Sequence, residues 1–147
     1  KVVVMYDGQI VQIGTPAELF EKPRHTFVGY FIGSPGMNVL PASIDGSSIK
    51  VGEETLDLGY RPEIAAGAKT ELGIRPEFIS LSRDGMPVSI SKIEDIGRQK
   101  IVRAEFAGKP IAIVVPEDGE IPADPRVTFD AAAINIYADS WRVGREG

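Results

Sequence analysis

The residue types that most often do chemistry in proteins are scarce in this chain of 147 residues, which contains no cysteine and a single histidine, His25. Without cysteine there is no thiol nucleophile, disulfide or thiolate zinc site. His25 follows Arg24, whose positive charge disfavours the imidazolium that a Ser-His-Asp mechanism passes through. We therefore interpret His25 as a surface residue or a residue at the start of a helix.

Adjacent carboxylates and phosphate-binding loops are the remaining candidates. Glu53-Glu54, Glu94-Asp95 and Glu117-Asp118 each lie beside a turn signal, and neighbouring strand residues point to opposite faces. Solvated turns therefore explain these pairs better than acid–base catalysis does. Their spacing matches no calcium loop, and the sequence contains neither G-x-x-x-x-G-K-[ST] nor G-x-G-x-x-G. We predict no catalytic, cofactor-binding or metal-binding residue, and no ATP binding by this chain alone.

Composition and charge narrow the function classes further. With 43% hydrophobic and 25% charged residues, the chain has the composition of a globular protein. A formal net charge of -5 and a pI of 4.9 argue against nucleic-acid binding. The apolar runs are far shorter than the roughly 20 residues of a membrane helix, and no export signal opens the sequence. We expect a cytoplasmic location.

A β-hairpin is predicted at the start of the chain. Val2-Val3-Val4 is a β-branched run of the kind found in a fully buried strand. Asp7-Gly8 tolerates the positive φ angles of a type I′ turn, and residues 9–13 alternate between polar and apolar. These patterns predict a hairpin over residues 2–13.

Two short helices are predicted next. Thr15-Pro16-Ala17-Glu18 combines a capping box with proline at the first helical position, and Pro23 ends this first helix. Residues 25–33 predict a second helix, which Gly33 can terminate. Its apolar face consists of Phe27, Val28, Phe31 and Ile32.

From Ser34 the sequence changes to short β-type runs separated by turn signals. Ser34-Pro35-Gly36 is typical of a linker, so we divide the chain into residues 1–36 and residues 37–147. The close spacing of short β-type runs and turn signals in the second part predicts a small all-β barrel or sandwich. Its candidate strands are residues 39–44, 48–51, 71–75, 78–82, 87–96, 100–106, 111–115, 126–130 and 134–137.

One short pattern occurs twice in the second part. Tyr60-Arg61-Pro62-Glu63-Ile64 and Ile74-Arg75-Pro76-Glu77-Phe78 share an apolar-Arg-Pro-Glu-apolar order. Coincidence between two turn starts is the simpler interpretation, because proline and charged residues are common at strand ends. The functional alternative makes the second copy a binding corner.

Three separated segments resemble the ATP-binding subunits of ABC importers. Residues 2–20 are similar to the end of their ATP-binding domain. Residues 31–38 look like the junction found in the maltose, polyol and glycerol-3-phosphate branch, and Leu72-Gly73-Ile74-Arg75-Pro76-Glu77 matches a hallmark of that branch's C-terminal regulatory domain. The match covers nearly the whole chain in the order of the family.

This resemblance implies a mainly β chain. Residues 37–147 would form an OB-like β-barrel regulatory domain of the TOBE or MOP-like type, preceded over residues 1–36 by the hairpin and two short helices from the end of the nucleotide-binding domain. The closing strands of the family match residues 136–143, with Trp141 where a Gly-Arg pair is more usual. Trp141 is either half-buried packing or an exposed interface anchor.

The resemblance also implies a function for the intact subunit. It would bind ATP and Mg, hydrolyse ATP to drive the import of sugars, polyols or glycerol 3-phosphate, and dock on permease subunits at the cytoplasmic face of the inner membrane. The phosphate loop, signature motif and switch histidine of the family precede the segment that matches Val2. We therefore expect no complete ATPase activity in this chain.

A homodimer is a further implication, with the regulatory domains acting as a clamp that a regulatory protein or a small-molecule effector could bias. Arg75 and Glu77 are candidates for polar interface contacts, because Pro76 fixes the corner from which they project. A local Arg–Glu pair is the alternative. Phe27 and Phe31 are candidates for apolar contacts, because their helix would lack its usual partner domain.

A small-ligand module is the main alternative function. MOP-like domains bind oxyanions such as molybdate, which needs backbone N–H groups and Ser, Thr or Lys side chains that converge on one point. The available candidates, Ser89, Ser91, Lys92 and Thr128, are scattered along the sequence.

Overall fold

The computed structural model describes residues 1–33 and 35–143. Most of the regular structure is β, which confirms the predicted class, and none of the helices in these ranges has the length and hydropathy needed to cross a membrane. The helices are α1 Pro16–Glu21 and α2 Thr26–Phe31, with 3-10 helices at Pro76–Phe78 and Ala131–Ala133. The strands are β1 Val2–Tyr6, β2 Gln9–Gly14, β3 Asn38–Pro41, β4 Ser43–Asp45, β5 Ser48–Val51, β6 Glu54–Asp57, β7 Thr70–Ile74, β8 Ile79–Ser82, β9 Met86–Pro87, β10 Ser89–Asp95, β11 Gln99–Phe106, β12 Lys109–Pro116, β13 Arg126–Phe129, β14 Asn135–Ala138 and β15 Trp141–Arg142.

Small antiparallel sheets make up the part of the chain after residue 36, which we call the β-region (residues 37–143). Their strand orders are β15-β14-β7-β3, β4-β5-β6, β10-β11-β12 and β8-β13-β9. Every predicted strand is present, but the runs 39–44 and 87–96 are each divided in two. The chain changes sheets at these breaks, because β3 pairs with β7 whereas β4 pairs with β5, and β9 pairs with β13 whereas β10 pairs with β11.

One hydrophobic core lies among these sheets. Side chains from β3, β5, β7, β8, β11, β12, β13 and β14 contribute to it, and the Phe106 and Phe129 rings lie 5.1 Å apart within or beside it. Its fully buried members include Leu40, Ile49, Leu72, Ile74, Phe106, Ile113, Val127 and Ile136. Burial of side chains from all of the larger sheets in one core holds them together.

The residues before the linker, which we call the N-terminal segment (residues 1–33), have a small core of their own. Val4, Val11, Leu19 and Val28 are buried in it, and Phe27 and Ile32 pack against it. The predicted hairpin is confirmed, with positive φ angles at Asp7 and Gly8, and the Thr15–Glu18 capping box of α1 is present. The separate core supports the division into residues 1–36 and 37–147, which stays a prediction.

Two predictions about this segment are wrong in detail. Val4 is buried, but Val3, which points to the opposite face of the hairpin, and Val2, at the first position of β1, are exposed. Helix α2 ends at Phe31 rather than at Gly33, and its supposed apolar face is divided: Val28 is fully buried whereas Phe31 is 67% exposed. The helix turns Val28 and Gly29 inward, and Gly29 leaves space for Met37.

Candidate functional site

Arg75 lies at the centre of the contact between the N-terminal segment and the β-region. It follows β7 and is only 2% exposed. Its Nε donates to the backbone oxygen of Phe20 over 2.7 Å, and its Nη1 donates to the backbone oxygens of Gly29, over 3.2 Å, and of Ile32. These oxygens lie at the C-terminal ends of α1 and α2, where carbonyls lack partners within the helix and the helix dipole is negative. One guanidinium therefore caps both helices.

Arg75 carries its positive charge in a buried position. Burial lowers the pKa of its guanidinium, and the nearby charge of Glu77 acts in the opposite direction. Arginine stays protonated in proteins, so a positive charge is enclosed here. The guanidinium carbon lies 4.3 Å from the centroid of the Phe20 ring, and among the described residues Nη2 has no hydrogen-bond partner. The aromatic face thus supplies part of the stabilisation that water would otherwise give.

Two residues of β14 hold the loop between α1 and α2. The Tyr137 hydroxyl donates to the backbone oxygen of Pro23 over 2.6 Å, and Asn135 Nδ2 donates to the backbone oxygen of Glu21 over 3.2 Å. Burial raises the pKa of Tyr137 well above its usual range, so the hydroxyl remains a donor. The Tyr137 ring packs against Gly73 of β7, where a Cβ would lie 2.7 Å from Tyr137 Cε2. Glycine is required at this close approach.

The same loop is held from the hairpin side and from the last strand. Gln12 Nε2 donates to the backbone oxygen of Lys22 over 3.1 Å, and the Arg24 amide donates to Gln12 Oε1 over 2.9 Å. The Arg142 amide donates to the Arg24 oxygen over 2.7 Å. Polar side chains and β15 together therefore provide hydrogen-bond partners for most backbone N–H and C=O groups of this loop.

A row of rings crosses the junction and reaches the surface. Trp141 lies 4.7 Å from His25, His25 lies 5.3 Å from Tyr6, and Tyr6 lies 4.6 Å from Phe27, measured between ring centroids. Phe31 lies 5.7 Å beyond Phe27. We call these five rings the aromatic row. Trp141 at 46%, Tyr6 at 46% and Phe31 at 67% are exposed, so the row forms a hydrophobic edge at the surface of the chain.

His25 has a structural task in this row. Its Nδ1 accepts a hydrogen bond from the Phe27 amide over 3.0 Å and thereby caps the N-terminus of α2. Burial lowers the pKa of His25, which favours the neutral ring that this cap requires. The prediction of a helix-start residue is confirmed.

The hairpin and α2 continue this exposed apolar surface. Their exposed large hydrophobic residues are Val2, Val3, Met5, Tyr6, Ile10, Ile13, Tyr30 and Phe31. So many apolar side chains on one small segment are typical of a surface that another protein covers.

The residues predicted to form an interface occupy different environments. Phe31 and Glu77 are exposed and Phe27 is half-buried, whereas Arg75 and Pro76 are buried within the chain. No ion pair joins Arg75 to Glu77 in the part of the chain that the structure describes. Arg75 connects two parts of one chain, and its contact with a second subunit stays a prediction.

Asn135, Tyr137 and Gln12 were missed by the sequence analysis. Asn135 and Tyr137 lie in one β-type run and Gln12 lies in another, and none of them carries a motif. Tyr137 and its partner Pro23 are 114 residues apart, so no local pattern could reveal the contact. The position of Tyr137 in a short β-type run was the only signal, because a buried tyrosine needs a partner for its hydroxyl.

The remaining sequence candidates do not form a site. Arg61, in the first copy of the repeated pattern, is exposed in a loop, so the two copies are not equivalent. Ser89, Ser91 and Lys92 lie on β10, whereas Thr128 lies on β13 of another sheet. Lys92 is 3.3 Å from Glu94. Within residues 1–33 and 35–143, no group of metal-ligating side chains comes together.

The fold and the site together define the class of protein: an antiparallel β-region that binds the ends of two short helices, which follow a β-hairpin. The family model of the MalK OB fold domain matches residues 33–79. The sn-glycerol-3-phosphate import ATP-binding protein UgpC of Bordetella parapertussis is 39% identical over 118 residues, covering 78% of this chain and 32% of the relative. UgpC 2 of Agrobacterium fabrum is 30% identical over 156 residues, covering 100% of this chain and 42% of the relative. An uncharacterized ABC transporter ATP-binding protein, y4oS of Sinorhizobium fredii, is 34% identical over 119 residues, which is 78% of this chain and 32% of the relative.

The chain thus contains a MalK-type OB fold domain and corresponds to the C-terminal part of the ATP-binding subunits of carbohydrate ABC importers. It spans 32% to 42% of the length of the three relatives named above. The predicted family and fold are confirmed.

Proposed function

We propose that this chain is the regulatory and dimerisation end of the ATP-binding subunit of an ABC importer for sugars, polyols or glycerol 3-phosphate. The similarity to relatives named as sn-glycerol-3-phosphate import ATP-binding proteins carries the proposal. The chain does not hydrolyse ATP by itself, because its sequence has no phosphate loop. ATP and Mg bind to the remainder of the intact subunit, at the cytoplasmic face of the membrane, where permease subunits dock.

The junction around Arg75 gives this role a physical basis. Arg75, Asn135 and Tyr137 bind backbone oxygens at the ends of both helices of the N-terminal segment. A segment held at so many points moves with the β-region as one body, so displacement of the ATP-binding domain is transmitted to the β-region. The β-regions of two subunits then keep the pair associated while their ATP-binding domains open and close.

The exposed apolar surface supports the dimer and the contact with the missing domain. Phe31 and the hairpin residues would stay exposed to water if nothing covered them. The ATP-binding domain covers part of this surface in the intact subunit, and the second copy or the permease covers the rest. A regulatory protein or a small effector that binds one arrangement better than the other shifts the equilibrium between them.

The decisive experiment is to sequence the genomic DNA upstream of the codon for Lys1 and then to assay the protein that the whole open reading frame encodes. The proposal expects an open frame that contains G-x-x-x-x-G-K-[ST] and a signature motif, and a purified subunit that hydrolyses ATP with Mg while this chain alone does not. A stop codon followed by an independent start just before Lys1 would overturn it.

A further inference from the structure

A cleft of about 490 Å³ lies where the N-terminal segment meets the β-region. Its volume falls in the range of about 300–1,000 Å³ that is typical of small-molecule sites. Both parts of the chain line it, so an occupant would contact the segment and the β-region at once. The lining residues used below are Glu21, Lys22, Phe78, Asp130, Ile134 and Arg142.

Arg142 is the positioned charge of this cleft. It is half-buried, and its Nε donates to Asn135 Oδ1 over 2.8 Å. Asn135 is itself buried and is fixed by its bond to the Glu21 oxygen. The three ion pairs of the described residues involve neither Arg142 nor Lys22. Among the described residues, no hydrogen bond or ion pair occupies the Nη groups of Arg142, and Lys22 supplies a second positive charge on the same cleft.

The other lining groups restrict the rest of the ligand. Phe78 and Ile134 give the cleft an apolar part that suits a short carbon chain. Glu21 and Asp130 also line the cleft; Asp130 Oδ1 already accepts from the Ala132 amide over 3.1 Å, and its other oxygen and the Glu21 carboxylate accept hydrogen bonds from hydroxyl groups. Because the two carboxylates lie beside the two cations, they repel an anion that has no hydrogen-bond donors to offer them. A compound with an anionic group and several hydroxyl groups offers a partner to all four charged side chains: the anion binds the two cations, and the hydroxyl groups donate to the two carboxylates.

We propose that this cleft binds a small polyhydroxy compound that carries a phosphate group. The phosphate contacts Arg142 and Lys22, and the hydroxyl groups donate to Asp130 and Glu21. Because the ligand bridges the N-terminal segment and the β-region, it stabilises their docked arrangement by mass action. Within the proposed importer this makes the junction sensitive to a phosphorylated solute, but binding itself needs only this chain.

The test is isothermal titration calorimetry of the 147-residue chain with sn-glycerol 3-phosphate as the probe, at constant ionic strength. Inorganic phosphate and glycerol are titrated in parallel to separate the anion from the hydroxyl groups. We expect glycerol 3-phosphate to bind at least about tenfold more tightly than either of them. Equal binding of inorganic phosphate, or no binding of glycerol 3-phosphate, overturns the proposal.

Variants locate the site. Arg142→Gln and Lys22→Gln are each expected to weaken glycerol 3-phosphate binding, Arg142→Gln by about tenfold or more. Arg98→Gln is the matched control, because Arg98 is exposed in the turn between β10 and β11, away from the cleft. Lys22 is exposed, so its variant retains the fold even if Arg142→Gln does not. Unchanged affinity in Lys22→Gln and in a folded Arg142→Gln overturns the proposal, whatever the gene upstream encodes.

Discussion

Arg75 contacts Phe20 in two ways: Nε binds the Phe20 backbone oxygen over 2.7 Å, and the guanidinium carbon lies 4.3 Å from the centroid of the Phe20 ring. The Arg75 side chain thus binds both the backbone and the aromatic ring of Phe20, near the C-terminal end of α1. The two residues are 55 positions apart, and their contact joins the N-terminal segment to the β-region, each of which has its own hydrophobic core.

Replacing Arg75 by alanine should lower the free energy of unfolding by about 2–4 kcal/mol, because three carbonyl oxygens at helix ends lose a charged donor. Arg75→Lys should recover only part of this, since one ammonium group cannot reproduce the fork of donors. Urea denaturation followed by Trp141 fluorescence measures both.

Glu77→Ala is the matched control for Arg75→Ala. Glu77 is two positions away and exposed, no described ion pair involves it, and its electrostatic effect on Arg75 is screened by the surrounding water. Its replacement should change stability by less than about 0.5 kcal/mol. A similar loss in both variants would argue against a special role for Arg75.

Tyr137→Phe removes one hydroxyl and leaves the buried Pro23 oxygen without its 2.6 Å donor. We expect a loss of about 1–2 kcal/mol and earlier proteolytic cleavage in the loop around Pro23. Tyr30→Phe serves as control, because Tyr30 is 57% exposed. Unchanged stability and unchanged cleavage in Tyr137→Phe would contradict the assignment.

Gly73→Ala tests the close packing behind Tyr137. The new Cβ would lie 2.7 Å from Tyr137 Cε2 and 2.8 Å from Met37 Sδ, so both buried side chains must shift. Overpacking of this kind costs about 1–3 kcal/mol, measured as a lower Tm and urea midpoint. Gly14→Ala, whose Cβ would be 3.4 Å from Glu18, should cost clearly less.

The stability of the chain should fall as the pH drops below about 6.5. The pKa of His25 is lower in the folded than in the unfolded chain, so the unfolded state takes up the proton first; the contribution of His25 to stability is complete above the unfolded pKa and is lost as the pH falls through the folded pKa. A protonated Nδ1 also cannot accept from the Phe27 amide. Urea denaturation at about pH 7.5 and about pH 5.5 should show this loss, limited to about 1 kcal/mol.

His25→Asn isolates that effect, because asparagine caps a helix without titrating in this range. His25 is the only histidine of the chain. The difference between the two pH values should therefore shrink in the variant, and an equal difference in both proteins would assign the effect to other groups.

Phe31→Asp should weaken self-association of the chain. Phe31 is the most exposed ring of the aromatic row, and a charge there opposes burial in an interface. We expect sedimentation velocity to show a dimer dissociation constant raised by about tenfold or more. Ile93→Asp, at a 47% exposed position on β10, should leave it unchanged. A monomeric parent chain would contradict the predicted homodimer.

Local signals in the sequence predicted local structure well. Asp7-Gly8 located the hairpin turn, and Thr15 and Glu18 located the start of α1, because turns and caps depend on a few neighbouring residues. The burial of Val2 and Val3 was predicted wrongly, since burial depends on which face other elements cover.

The candidate site was only partly predictable. The apolar-Arg-Pro-Glu pattern drew attention to Arg75, but its backbone partners belong to helices some 43 to 55 positions earlier in the chain. Backbone oxygens carry no sequence signature, so the identity of the partners requires the fold. Asn135 and Tyr137 were missed for the same reason.

The bond between Pro23 and Tyr137 also sets an order of events during synthesis. The 114 positions that separate them take about 6–23 s to be translated, and until then the helix ends have no partner in β14. The N-terminal segment therefore leaves the ribosome long before its contacts with β14 exist.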